Sequence, residues 1–214
     1  MRKAINFNEN WIFKKEGKTE KVNIPHTWNS VDGQTGPEEY YRGICTYEKT
    51  FCKPLIESNE RCYIEFNGVN SSCTVLLNDV KIAEHNGGYS TFRSDITDYL
   101  KNENSLKVFV DNSPNDKVYP QRADFTFYGG IYRDVNLIIV NENHYYGGKG
   151  LYVTPRIEGN NAIVEIEAYF AGNADEVVVS IDSVSETVLY PTYENNKGKV
   201  KGSVEIKNVH LWNG

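Results

Sequence analysis

The chain has 214 residues, of which 39% are hydrophobic and 24% charged, enough to bury one large core or two smaller ones. Its formal net charge of -6, without a run of Lys or Arg that would make a basic face, excludes nucleic acid as an expected partner. No stretch approaches the ~18 consecutive apolar residues of a membrane span, and Met1-Arg2-Lys3-Ala4-Ile5-Asn6-Phe7 lacks the apolar centre of a secretion signal, so a cytoplasmic location is expected.

Along the chain, short alternating runs recur between turn signals, and long helical periodicity is absent, which predicts an all-β protein. The first run covers Thr46 to Phe51. Cys45 and Cys52 flank it seven residues apart, and an odd separation puts them on opposite faces of one strand, where they cannot bridge. With Cys62 and Cys73 they form no Cys-x-x-Cys pair. Buried free thiols in a reducing compartment are expected, and no zinc site. Cys62 to Phe66 is the next strand, ended by the Asn67-Gly68 turn signal. Ser72 to Leu77 follows, closed by Asn78-Asp79, and then Tyr89 to Arg93. Asp95 to Leu100 is the one plausible helix, with Asp95 as its cap. Leu106, Val108 and Val110 alternate inward, and Val135 to Val140 is an apolar strand. The number and spacing of these runs suit a jelly-roll sandwich.

Between the last two strands lies a segment rich in rings, glycines and carboxylates, Tyr119 to Asp134. Such a segment can stack on a sugar ring and accept hydrogen bonds from its hydroxyls. The Gly129-Gly130 pair suits a tight turn with positive φ. Tyr128 and Phe127 read as core plugs, Arg122 and Tyr119 as solvated loop residues, and Arg133 with Asp134 as an ion pair fixing the loop base. The histidines are scattered and suggest no metal site, and His26-Thr27-Trp28 reads as packing.

Residues 141–149 are polar and Gly-rich and read as a linker. The expected domains are 1–143 and 144–214. In the second, Val164, Ile166 and Ala168 alternate with glutamates, and Val177 to Ile181 and Val200 to Lys207 look similar. About four strands fit there, fewer than the ~7 of a complete immunoglobulin-like sandwich, so a truncated domain is expected, with Leu211 and Trp212 left uncovered.

Several blocks in order resemble glycoside hydrolase family 2. Asp124-Phe125-Thr126-Phe127-Tyr128-Gly129-Gly130-Ile131-Tyr132-Arg133 is similar to the family's Asp-Phe-x-x-Tyr-x-Gly-Ile-x-Arg run. Val22 to Asn29 resembles its Val-Pro-His-x-Trp turn, and Tyr40-Tyr41-Arg42-Gly43, Phe66 to Ser71 and His85 to Phe92 resemble later blocks. The resemblance implies a galactose-binding-like jelly roll followed by an immunoglobulin-like sandwich. In the family a (β/α)₈ barrel with two catalytic glutamates comes next. Asn8-Glu9, Asn59-Glu60 and Asn141-Glu142 lie on no barrel strand, so no catalytic residue is expected here. The implied protein is a retaining hydrolase, foremost a β-galactosidase, with β-glucuronidase, β-mannosidase or a stand-alone carbohydrate-binding module as alternatives. Asp124 is the implied substrate-binding residue, aligned with a family Asp that hydrogen-bonds sugar hydroxyls. In the family a loop near Asp32 to Glu39 approaches the active site, which implies a weak second contact region there, although its acidic residues read as solvated. The implied partners are a β-galactoside-like carbohydrate, the protein's own barrel and a homo-oligomer mate. No cofactor is implied for this chain, though the barrel has room for a metal ion.

Overall fold

The structure is a computed structural model that describes residues 2–30, 32, 40–119, 126–145, 150–181, 184–195 and 197–212. The chain divides into two units, Met1–Val140 and Asn141–Gly214.

Among the described residues, the first unit has ten strands: β1 (Lys3–Asn6), β2 (Trp11–Lys15), β3 (Lys18–Val22), β4 (Ile44–Cys52), β5 (Glu60–Phe66), β6 (Ser72–Leu77), β7 (Val80–Asn86), β8 (Phe92–Asp95), β9 (Glu103–Asp111) and β10 (Val135–Asn141). They form a six-stranded sheet in the order β3-β2-β4-β9-β6-β7 and a four-stranded sheet in the order β1-β10-β5-β8. Alternation explains why these segments pair as they do. In the larger sheet, antiparallel register sets Cys45 beside Val110 and Val110 beside Cys73. One step further it sets Tyr47 beside Val108 and Val108 beside Val75. All six side chains are buried. Ile64 and Phe66 of β5 and Val135, Leu137 and Ile139 of β10 complete the same core from the smaller sheet. Each fully buried aliphatic side chain of this kind contributes about 1.5–3 kcal/mol of transfer free energy.

The expected opposition of Cys45 and Cys52 is found: Cys45 is 1% exposed, whereas Cys52 at the end of the same strand faces solvent. Burial of all thiols was expected, and Cys52 departs from it because it occupies the outward parity of the last pleat. Burial pushes Cys45, Cys62 and Cys73 up to about 12, so these thiols stay protonated and act as small apolar side chains. Two local readings shift. The expected strand over Tyr89 to Arg93 begins later, at Phe92, because Gly87-Gly88 and exposed Tyr89 form a turn. The expected helix is one turn of 3₁₀ over Thr97–Tyr99 with Ile96 as its N-cap. Asp95 precedes that cap, and its Oδ1 accepts the Thr97 N–H at 3.0 Å.

The second unit contains β11 (His144–Tyr145), β12 (Leu151–Glu158), β13 (Asn161–Ala171), β14 (Val177–Ile181), β15 (Ser185–Leu189), β16 (Thr192–Glu194) and β17 (Lys197–Ile206). Strand β13 pairs antiparallel with β11, β12 and β17, β17 also pairs with β16, and β14-β15 forms a separate hairpin. Among the described residues, six strands thus lie between Leu151 and Ile206, more than the four or so expected. Strand β12 escapes an alternation search because it is exposed along its whole length, and β16 because it is only three residues long. The core here is small, Val164, Ile166 and Val204 with Val179, Ile181 and Ile206 against it. Leu211 and Trp212 are exposed. No helix among the described residues is long and apolar enough to cross a membrane.

Candidate functional site

Asp124 lies outside the described residues, as do Arg122 and residues 33–39 of the second expected contact loop. The chain on either side of the 120–125 segment is described. Tyr119 before it and Phe127 after it line one crevice, together with Arg42, Asn70, Ser71, Tyr89, Ser113, Asn115 and Val118. Arg42 stands just before β4, Ser71 just before β6, and Ser113 just after β9. The crevice therefore sits at one end of the larger sheet, where three neighbouring strands start or stop. Arg42 is fixed in it. Its Nε donates to the Asn112 carbonyl at 2.8 Å, and its guanidinium packs over the rings of Tyr40 and Phe127. A wider groove at the other end of the same sheet is lined by Phe51, Cys52, Asn78, Asp79, Lys101 and Glu103. None of the described motif residues lines it.

The segment from Phe127 to Ile131 makes no regular strand, so its backbone groups need other partners. Buried side chains supply them. Asn29 Oδ1 accepts the Gly129 N–H at 2.7 Å, and Thr27 Oγ1 donates to the Gly129 carbonyl at 2.8 Å. Asn112 Nδ2 donates to the Phe127 carbonyl at 3.3 Å and to Asn29 Oδ1 at 3.2 Å. Asn70 Nδ2 donates to the Tyr128 carbonyl at 2.7 Å. The backbones of Asn70 and Gly130 exchange two bonds, and the His26 N–H donates to the Ile131 carbonyl. The same amides hold the Arg42 side of the crevice. Asn112 Oδ1 accepts the Gly43 N–H at 2.8 Å, and the Tyr41 carbonyl accepts from both Asn29 and Asn112. Asn29 and Asn112 are fully buried.

Both glycines are required, for different reasons. Gly130 has φ +134, as the expected turn needs. Gly129 has no unusual φ, but a Cβ there would lie 2.1 Å from the Trp28 ring. Other expectations are corrected. Tyr128 is exposed rather than a core plug, because its backbone is drawn inward by Asn70 and its side chain then points out. Arg133 and Asp134 do not pair with each other. Arg133 donates to the Tyr89 carbonyl at 3.2 Å, and Asp134 accepts from Asn8 Nδ2 at 2.8 Å. The motif search found Gly129 and Gly130 but missed Asn29, Asn70 and Asn112 as parts of the site. An asparagine next to a strand end reads as a turn former, and nothing local shows that it is buried.

His26 packs as expected. Its Nδ1 lies 2.7 Å from the Tyr47 hydroxyl and its ring rests on Phe13. Burial lowers its pKa below the ordinary 6.5, with Glu20 opposing more weakly. The sign follows from proton uptake. Below about pH 6.5 the unfolded chain gains a proton at His26 that the folded chain still refuses. The stability held by neutral His26 is therefore complete above pH 6.5 and falls as pH drops through the lowered folded value. His26→Gln is expected to flatten this part of the unfolding profile between pH 7.5 and 5, measured by urea titration. An unchanged slope would count against it. No group of three or more metal-ligating side chains occurs among the described residues.

Residues 2–140 match the family model described as glycosyl hydrolases family 2, sugar binding domain. The sequence is 39% identical to a β-glucuronidase of Bacteroides fragilis over 73% of this chain and 24% of that protein. It is 31% identical to a β-galactosidase of Thermoanaerobacter pseudethanolicus over 80% of this chain and 25% of that protein. The solved FMN-binding β-glucuronidase of Faecalibacterium prausnitzii L2-6 superposes with a TM-score of 0.84 at 36% identity, over 99% of this chain and 35% of that one. The chain thus spans about a quarter to a third of the length of these relatives.

Proposed function

We propose, because this chain belongs to glycosyl hydrolase family 2, that it serves as the non-catalytic sugar-binding portion of a longer retaining β-galactosidase. In this reading the acid/base and nucleophilic glutamates stand on a barrel elsewhere in the polypeptide. The chain contributes one wall of the subsite for the reacting sugar, with Asp124 as the acceptor of its hydroxyl hydrogens. A carboxylate suits that role because it takes short, charge-assisted bonds. It also discriminates between epimers, since a misplaced hydroxyl leaves a buried acceptor unpaired.

The observation that carries the reading is the crevice at the strand ends. The residues flanking the Asp124 segment, Tyr119 and Phe127, both line it beside Arg42 and Asn70. Its walls are amide, hydroxyl, guanidinium and aromatic groups, a mixture that suits contact with sugar hydroxyls at the edge of a larger subsite, since the crevice itself is too small to enclose a ring. The partners in this reading are a β-galactoside-like carbohydrate, the barrel of the same polypeptide and, through exposed apolar residues such as Leu211 and Trp212, a second copy.

A second reading, β-glucuronidase, is favoured by the 39% identity to a protein of that name. A panel of chromogenic β-galactoside, β-glucuronide and β-mannoside on the full-length protein separates the two. The expected result is the highest kcat/KM on the β-galactoside, with the β-anomer of the sugar released first in an NMR time course. Preference for the β-glucuronide would move the conclusion to the second reading. Turnover of none of the three would end both.

A further inference from the structure

The connection from β7 to β8 passes through a turn, Gly87 to Ser90, in which three successive carbonyls each face a different side-chain donor. His85 Nε2 lies 3.0 Å from the Gly87 oxygen and 3.1 Å from Ser90 Oγ. The Tyr132 hydroxyl donates to the Gly88 carbonyl, and Arg133 Nη1 donates to the Tyr89 carbonyl at 3.2 Å. The Gly87 N–H donates to the Ser71 carbonyl at 2.9 Å. The His85 ring is itself fixed by stacking on Phe92, with centroids 4.3 Å apart. Gly88 is buried, and a Cβ there would lie 2.3 Å from Asn70 Oδ1, so the turn sits directly on that amide. From this pinned backbone one large side chain is left outside. Tyr89 is 57% exposed and lines the crevice beside Arg42, Asn70, Ser71 and Ser113.

A single exposed tyrosine is ordinary on a protein surface. Two features set this one apart. Its backbone is held on both sides by side chains from elsewhere in the fold, and it stands at the rim of a polar crevice. A ring presented in this way engages a ligand with little further loss of conformational freedom. Its flat apolar face suits the C–H face of a pyranose, and its hydroxyl tolerates water. The adjoining guanidinium, amide and hydroxyl groups suit the hydroxyls at the edge of the same sugar. Because the crevice is too small to enclose a pyranose, a sugar seated there lies across its mouth, against Tyr89.

We infer that Tyr89 is a sugar-contacting residue of this site, its ring stacking on the apolar face of the reacting pyranose. The inference rests on the reading that this crevice borders the subsite of the reacting sugar. It does not depend on which groups recognise the hydroxyls, because stacking requires a flat ring face and no particular hydroxyl. A purely structural role for Tyr89 is separable from it. The turn is held through the Tyr89 carbonyl, which every substitution at this position keeps.

The test is a series at position 89 in the full-length protein, read as kcat and KM on the nitrophenyl and methylumbelliferyl forms of its preferred β-glycoside. Tyr89→Ala is expected to lower kcat/KM about tenfold, mostly through KM, as for a contact made alike in the ground and transition states. The loss is expected to be equal with the two leaving groups, since the ring meets the sugar they share. Tyr89→Leu keeps apolar bulk without a flat face and is expected to lose nearly as much. Tyr89→Phe keeps the face and is expected to stay within about threefold of the parent. All three proteins are expected to melt within about 2 °C of the parent, because the side chain is exposed. Parental kcat/KM in Tyr89→Ala, equal values for Tyr89→Leu and Tyr89→Phe, a loss confined to one leaving group, or a loss accompanied by a large fall in Tm would each overturn the inference and leave the sugar-binding reading intact. Failure of the parent to turn over any glycoside would remove that reading and the inference with it.

Discussion

Asp124→Asn in the full-length protein is expected to lower kcat/KM on its preferred glycoside by about 10²-fold or more, with its Tm nearly unchanged. The substitution keeps the size of the side chain. It removes the charge and replaces one acceptor oxygen with an NH₂ donor. A carboxylate that receives two sugar hydroxyls would then accept one neutral bond and face the other hydroxyl donor to donor. Losing a charge-assisted bond and leaving a desolvated group unpaired together amount to about 2–4 kcal/mol, and 1.4 kcal/mol is a factor of ten. The loss should be smaller on a deoxy-glycoside that lacks the hydroxyl in question, because the interaction is already missing there. Measuring kcat/KM for the matched pair of glycosides checks both statements. Equal losses on the two would show that Asp124 does not recognise that hydroxyl. No loss on either would remove Asp124 from the site.

Gly130→Ala is expected to destabilise unit 1 by about 3 kcal/mol or more, seen as a fall in Tm of roughly 10 °C. Two effects act together. At φ +134 a side chain strains the backbone whatever the space around it. The added Cβ would also stand 2.4 Å from the His26 carbonyl oxygen and 2.8 Å from the Tyr47 hydroxyl. The first is backbone, and the His26 N–H on the same residue is bonded to Ile131. The second belongs to a fully buried ring whose hydroxyl is held by His26. Neither can yield without breaking hydrogen bonds at the base of the crevice. At Gly129 the obstacles are side chains, the buried Trp28 ring and Asn112 Nδ2, and φ is ordinary, so Gly129→Ala lacks the backbone strain and should be the milder of the two. Thermal unfolding of the chain with each substitution checks the order. A Gly130→Ala protein melting within 2 °C of the parent would show that this corner is far more pliant than its hydrogen bonds suggest.

Much of the fold was legible because a two-residue period is a strong signal when one face of a strand is buried. The odd spacing of Cys45 and Cys52 sufficed to put one inside and the other out. The same signal vanishes where both faces meet solvent, as along Leu151–Glu158, and that strand went unread. Of the described residues around the crevice, the two glycines were legible because their order resembles a known motif. The buried amides that hold their segment were not. Asn29 meets Gly129 across 100 residues of sequence, and Asn112 meets Asn29 across 83, so no local window contains both ends of either bond. Arg133 and Asp134 misled for the opposite reason. Adjacent opposite charges suggest a pair, yet Arg133 lies in a bend just before β10 and each residue found another partner.

Strand β1 at the start of unit 1 hydrogen-bonds β10 at its end, with Lys3 opposite Ile139. During synthesis the chain must therefore emerge past residue 140 before its first strand finds its neighbour. The crevice depends on the same late event, since Gly129 to Ile131 dock onto residues emerged long before. Closing loops of about a hundred residues is entropically slow. A ribosome-bound intermediate halted short of β10 would thus display an open half-sandwich, its smaller sheet lacking the strand that joins β1 to β5.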